Sequence, residues 1–408
     1  VLVDHDPRIL MDADQLIEIG PGAGKEGGRI VTQGTPLEAE KNPHSLIGPY
    51  LSGKESLKVR SRATEKDMFE NGSIRIKTKP FYTVKALDVS IPKGRMIAVT
   101  GVSGSGKTSL VIECLVPALQ AVIQGTKLPE HVDSIEAKGI QSVKVIDSKP
   151  IGANVRSTVA TYDGVFDDLR KLFARTADAK AKGLTAGDFS YNTGKLRCPV
   201  CDGTGIITMD VQFLPDVDTI CPSCGGSRYG KDAYDILWKS KEKDSVSVSL
   251  PGLLKLTVEE AAGILHEETK IAKQLKILQD LGVCYLTLGE ATPALSGGEA
   301  QRLKLAYEME TPQQGSVFVF DEPTIGLHPQ DVKKLVLIFD HLIQLGATVI
   351  VIEHDLELVT NCDYIIDMGP WGGTEGGRVV VEGTPEAVAA TSESITGRYL
   401  KQELAEDK

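Results

Sequence analysis

No apolar run in this 408-residue chain approaches the roughly 20 residues that a membrane-spanning helix requires. Its opening residues do not read as a secretory signal. Positive charge is in the minority: Lys and Arg number 45 against 56 Asp and Glu, a formal net charge of −11. That balance excludes a protein that coats nucleic acid through bulk charge, but leaves room for a local basic groove. Cysteine is scarce and uneven, with four of the 7 residues in two close pairs. Cys114, Cys284 and Cys362 stand alone among apolar neighbours and read as small core residues. Scattered thiols of this kind exclude a disulfide scaffold and point to a reducing, cytoplasmic compartment. What remains is the composition of a soluble protein, 41% hydrophobic and 25% charged, with length for two or three domains.

The chain matches itself. Val3–Pro36 aligns without a gap on Ile352–Pro385 at a constant offset of 349 residues. His5 falls on His354, Asp14 on Asp363, Gly20-Pro21 on Gly369-Pro370 and Gly34-Thr35-Pro36 on Gly383-Thr384-Pro385. A strand–turn–strand with glycine turns would give part of this pattern, but not a match of this length. The expectation is a chain that opens at the tail of one module and continues into a second copy, as the C-terminal part of a longer, duplicated protein. The first residue, Val1 rather than Met, agrees with it. Expected boundaries are 1–53 for the tail, 54–72 for a charged connector, 73–162 and 286–408 for the two parts of the second module, and 163–285 for an insertion.

The second module carries the parts of a nucleotide site. "MIAVTGVSGSGKTSL" predicts a buried strand, a glycine loop and a helix. The loop runs Gly101-Val102-Ser103-Gly104-Ser105-Gly106-Lys107-Thr108-Ser109. Its backbone amides suit phosphate oxygens, Lys107 the β/γ-phosphates and the Thr108 hydroxyl a Mg²⁺ ion. "SVFVFDEPTIGLH" predicts a second strand that ends in two carboxylates, Asp321 as a Mg²⁺ partner and Glu322 as the base acting on the attacking water. A third apolar run ends at His354, placed to contact the γ-phosphate. In "LSGGEAQRLKLAYEM", Ser296-Gly297-Gly298 open a helix, with Ser296 as cap and Glu299 completing a capping box. Such a helix end is a further anion site. One nucleotide does not need both, so it is expected to face a nucleotide held by another cassette.

Gly101–Thr108, Leu295–Arg302, Asp321–Glu322 and His354 stand in the order of the ATP-binding cassette superfamily, and the chain is identified as a member of it. The resemblance implies two cassettes that clamp two ATP molecules head to tail. Ile325–His328 stand where that family has its inter-cassette loop. Lys107 and Ser296 are about 190 residues apart, and the intervening insertion holds Cys198-x2-Cys201-x19-Cys221-x2-Cys224, the spacing of a four-thiolate zinc site. A disulfide or redox pair is the weaker alternative.

The ensemble resembles the UvrA family of bacterial excision-repair ATPases along nearly the whole chain. The carriers are the paired cassettes with GP(G)xGxxGG tails, "FLPDV" at Phe213–Val217 between the cysteine pairs, and "PIGANVRSTVATYDG" at Pro150–Gly164. It implies an α/β cassette with an inserted α-helical, zinc-binding signature domain. It further implies an ATPase that binds lesion-bearing double-stranded DNA, hands over to UvrB and works as a homodimer away from the membrane. Lys149, Arg156, Lys195, Arg197, Arg228 and Lys231 are candidate phosphate contacts, suited to reading deformability rather than bases. Two departures stand out. Ser148 follows Asp147 where the family has glutamine, the nearest being Gln141, and Thr108-Ser109 reverses the usual order. They suggest a divergent member, a paralogue of the drug-resistance type, or a DNA-binding module whose ATP site switches shape without turnover. With one cassette incomplete, weak hydrolysis is expected unless two chains pair.

Overall fold

A computed structural model describes residues 1–22, 27–55, 59–152, 154–209, 217–241, 246–309 and 311–406. They divide into two compact units, Val1–Ser148 with Thr311–Lys408, and Lys149–Glu310. In chain order the first unit begins with β1 (Leu16–Gly20), β2 (Arg29–Gly34), β3 (Ser73–Thr78), β4 (Asp88–Pro92), β5 (Met96–Gly101), β6 (Val132–Glu136) and β7 (Ser142–Ile146). The second unit holds β8 (Ile206–Met209), β9 (Val217–Ile220), β10 (Leu237–Lys239) and β11 (Ser247–Ser249). The chain then returns to the first unit for β12 (Ser316–Asp321), β13 (Thr348–Ile352), β14 (Tyr364–Gly369) and β15 (Arg378–Gly383).

The main sheet has the order β15-β14-β5-β13-β12-β7. All its pairings are parallel except β14 with β15. Every residue of β5, β13 and β14 is buried, as expected of parallel strands covered on both faces. The helical stretch Ser109–Gln124 lays Leu110, Val111, Leu115 and Leu119 on this sheet and ends at Gly125, whose φ of 66° only glycine adopts freely. The antiparallel sheet β4-β3-β6 closes the same core with Ile74, Ile76, Val89 and Ile91.

The self-match is a structural repeat. β1 pairs with β2 as β14 pairs with β15, antiparallel, and the register slips after Glu18 in one copy and after Asp367, its counterpart, in the other. Glu18 accepts from Ser45 Oγ at 2.6 Å; Asp367 accepts from Ser394 Oγ, the matching hydroxyl, at 2.7 Å. The copies differ in cover. β14 is buried against β5, whereas Ile17, Ile19 and Ile30 of β1 and β2 are 58%, 69% and 62% exposed.

Residues 59–72 of the charged stretch are fastened to the cassette. The Arg60 guanidinium pairs with Asp363 at 3.1 Å and with Asp340 at 2.9 Å, and Met68 enters the core. Cys114 and Cys362 are buried, Cys284 is half-buried, and no disulfide forms among the described residues.

In the second unit, helix Val165–Ala174 buries Val165, Phe166, Leu169 and Phe173 at helical spacing. Helix Thr269–Asp280 packs against it. The expected insertion limits, 163 and 285, fall inside this unit. Val159 N and Ala160 N bond to the carbonyls of Glu290 and Leu288 at 3.0 and 2.9 Å, so the flanks of the insertion fold together with it. Among the described residues no helix is long and apolar enough to cross a membrane.

Candidate nucleotide site and metal centre

The parallel strands of the first unit converge at their carboxyl ends, where open α/β sheets place ligands. β5 delivers the glycine loop. Gly101, Gly104 and Gly106 have φ of 128°, 75° and 97°. A Cβ on Gly101 would lie 2.0 Å from Met368 O, so no larger residue fits. Lys107 Nζ, almost fully buried, donates to the Gly101 carbonyl at 2.8 Å and to Val102 O at 3.1 Å. Burial holds its ammonium below the ordinary lysine range, opposed by Glu322, Asp367 and Asp321. Ser105 Oγ is buried without a hydrogen-bond partner among the described residues. An orphaned hydroxyl beside a lysine bonded only to loop carbonyls is what a phosphate would complete. Thr108 is exposed at the start of the helix and Ser109 half-buried behind it.

β12 ends at Asp321, and Glu322 follows in a left-handed conformation, φ 48°. Such a backbone is costly for a residue with a side chain and concentrates at functional positions. Glu322 N bonds to Ile352 O at 2.9 Å, tying this turn to the end of β13. His354 Nε2 lies 3.5 Å from Glu322 Oε1. Burial and the Lys107 charge lower the His354 imidazole below its ordinary value, and Glu322 acts the other way. Lys107, Asp321, Glu322 and His354 therefore share one edge of one unit.

Ser148 belongs to the same edge. Ile146 pairs with Phe320, so Asp147-Ser148 continue alongside Asp321-Glu322. Gln141 precedes the other end of β7, its N–H on Gly315 O at 2.8 Å, a strand length of roughly 16 Å away. It cannot stand in for the glutamine that Ser148 replaces.

The signature segment lies in the second unit. Its capping box closes as expected: Ser296 N donates to Glu299 Oε2 at 2.7 Å, and Glu299 N to Ser296 Oγ at 3.4 Å. Tyr285 Oη steadies the other Glu299 oxygen at 2.6 Å. The helix runs Gly297–Met309, with Gly297 and Gly298 in its first turn.

Cys198, Cys201, Cys221 and Cys224 bring four sulfurs within 4.8 Å of one another. Cys198–Cys221 and Cys201–Cys224 stand 4.0 and 3.7 Å apart. Four sulfurs at about 2.3 Å from a central zinc ion would be about 3.8 Å apart, so the quartet fits a tetrahedral metal and not a disulfide. Gly205 N approaches Cys201 Sγ at 3.3 Å. Burial would raise the Cys198 thiol, but the amides of Cys201 and Val200 bring it down to about 7. β8 and β9 form the hairpin between the pairs; Phe213–Asp216 of "FLPDV" lie outside the described residues, as does residue 153 of "PIGANVRSTVATYDG".

One expected phosphate contact is spent internally. Arg228 is buried, its guanidinium over the Tyr191 ring and donating to Val155 O at 2.9 Å. Arg156 and Arg197 both pair with Asp202, and Lys195 with Asp188. Lys231 is exposed.

Two features escaped the sequence reading. Glu353, next to His354, is a buried carboxylate gathering two loops. Gly372–Gly377 wrap the glycine loop, with Gly373 N on Gly104 O at 3.1 Å and Gly377 N on Ser105 O at 2.9 Å. A carboxylate directly after the apolar run Val349–Ile352 was the available signal for the first, and the density of glycines in the tail for the second.

Glycine loop, carboxylate pair and histidine turn on this sheet, with a signature helix and a cysteine module in the second unit, define an ATP-binding cassette of the P-loop class. No protein-family model matches the chain. UvrABC system protein A of Staphylococcus aureus (strain COL) is 43% identical over 414 residues, covering 100% of this chain and 42% of that protein. The proteins of the same name from Aquifex aeolicus and Bacillus subtilis are 43% and 42% identical over 411 residues and are covered to 43% and 42%. The crystal structure of UvrA2 from Deinococcus radiodurans superposes with a TM-score of 0.88 at 38% identity, over 98% of this chain and 47% of that one. The chain belongs to the UvrA family and spans less than half the length of the curated relatives it matches.

Proposed function

We propose that this chain is the C-terminal part of a bacterial nucleotide excision repair ATPase that recognises damaged duplex DNA. The observation that carries this reading is the four-cysteine clip inserted between the glycine-loop strand and the carboxylate strand of a UvrA-type cassette. Residues Gly101–Ser109 bind ATP, with Lys107 on its phosphates; Thr108 and Asp321 hold Mg²⁺. Glu322 is the base, and His354 senses the γ-phosphate. Ser296, Gly297 and Gly298 close the site of a partner cassette through their helix end. Cys198, Cys201, Cys221 and Cys224 hold zinc, which supplies a rigid clip without a large core. The assembly is a cytoplasmic homodimer that hands damaged DNA to UvrB. Residues 1–53 end the first cassette, 54–72 connect, 73–162 and 286–408 form the second cassette, and 163–285 insert.

Binding of lesion-bearing and intact duplexes is compared across salt concentrations, with and without ATP, on the full-length protein that contains this chain. Both affinities are expected to fall with salt, because phosphates are the common contact, while preference for the lesion persists. Equal affinity for the two duplexes at every salt concentration refutes the reading. Ser148 at the sheet edge favours a second one, a resistance-type paralogue or a nucleotide switch without turnover. For the switch, ATP changes the binding and is not consumed.

A further inference from the structure

Glu353 follows β13 directly and is 2% exposed. Its two oxygens serve two different loops. One accepts from Thr324 N at 3.0 Å and from the Thr324 hydroxyl. The other accepts from His354 N at 2.6 Å and Asp355 N at 3.2 Å. A buried carboxylate is costly unless its lone pairs are used, and here four donors use them. Thr324 lies two residues after Glu322, in the loop that continues to Leu327 and His328. His354 faces Glu322 from the other side.

The internal repeat supplies a reference. Asp4 is the counterpart of Glu353, and its Oδ1 accepts from His5 N at 2.7 Å and Asp6 N at 3.0 Å. The bond from a carboxylate to the histidine turn is thus a property of both copies. The reach to Thr324 is made by a side chain one methylene longer. We propose that Glu353 is a positioning residue, a buried lock that joins the turn bearing His354 to the loop bearing Thr324, so that the two flanks of Glu322 move as one body. The proposal rests on the ATPase reading only for its effect on turnover.

The test uses the full chain and two readouts, residue-resolved amide exchange and ATP turnover. Glu353→Gln keeps the volume and turns one acceptor into a donor facing donors. The amides of Thr324, His354 and Asp355 are expected to exchange about tenfold faster or more, as loss of a charge-assisted bond implies. kcat is expected to fall by a similar factor, with KM for ATP within about twofold. Thr324→Val removes one hydroxyl that touches neither His354 nor Asp355. Faster exchange at those two amides, by about threefold or more, is the expected result. Unchanged exchange there overturns the lock, since a merely local turn would not feel Thr324. Asp4→Asn is expected to release His5 and Asp6 only; release of Thr324 by that change also overturns it. Absence of measurable turnover in the full-length protein that contains this chain refutes the ATPase reading alone, and the exchange data still decide the lock.

Discussion

Asp363 is the joint between the charged connector and the strand that carries the glycine loop. Its side chain is fully buried, and Arg60 is 5% exposed beside it. One carboxylate oxygen accepts from Arg60 Nη1 at 3.1 Å and Ala63 N at 2.8 Å; the other accepts from Met96 N, the first residue of β5, at 2.8 Å. In Asp363→Asn the amide must face either the Arg60–Ala63 pair or the Met96 amide, donor against donor. At least one charge-assisted bond is lost, worth about 1.5–3 kcal/mol. Arg60 is left with Asp340 and the Asn361 carbonyl. Breaking a buried pair in this way costs about 3–5 kcal/mol in total, the two contributions not being additive. The assay is urea unfolding. The chain has two tryptophans, Trp371 in the first unit and Trp238 in the second, so a Trp238→Phe background lets Trp371 report on the first unit alone. The midpoint is expected to fall with the slope unchanged. A loss below about 1 kcal/mol would refute the reasoning, because it would equate this buried pair with an exposed one.

Lys107→Ala is expected to abolish nucleotide binding, measured by calorimetry, whereas Glu322→Gln should bind ATP and fail to hydrolyse it; unchanged affinity in the first or full turnover in the second contradicts the assigned roles. Replacing Cys198 and Cys221 together by serine should release about one zinc ion per chain by metal analysis, as a four-thiolate site implies. Wild-type protein without zinc would dismiss the metal centre.

Much of this was legible in the sequence, because the chemistry sits in short contiguous motifs whose backbone is fixed by glycine and strand ends. The glycine loop, Asp321 and His354 are far apart in the chain, but each follows an apolar run, and parallel strands share one functional edge. Glu353 was not legible. Its role depends on Thr324 lying across the β12–β13 pairing, a tertiary fact that no local spacing carries. Arg228 was misjudged for the same reason. Beside a cysteine pair it reads as a surface cation, yet its guanidinium is drawn inward by the Tyr191 ring and the Val155 carbonyl. Gln141 is the nearest glutamine in sequence, yet β7 lies between it and Asp147-Ser148, which puts it at the opposite end of the strand.

The repeat makes a stronger statement than its sequence identity. Both copies keep the register slip and the carboxylate–serine bond, which are local and survive in each. What differs is the neighbour. β14 has β5 along its edge, and Ile365, Ile366 and Met368 are buried. β1 carries the same apolar pattern, but Ile17 and Ile19 are open. Alternation around Glu18 assigns Ile17 and Ile19 to a core face, and their counterparts Ile366 and Met368 are core residues. The isoleucines of β1 are therefore a core pattern without its core, and on the function proposed above the strand that covers them is the glycine-loop strand of the first cassette.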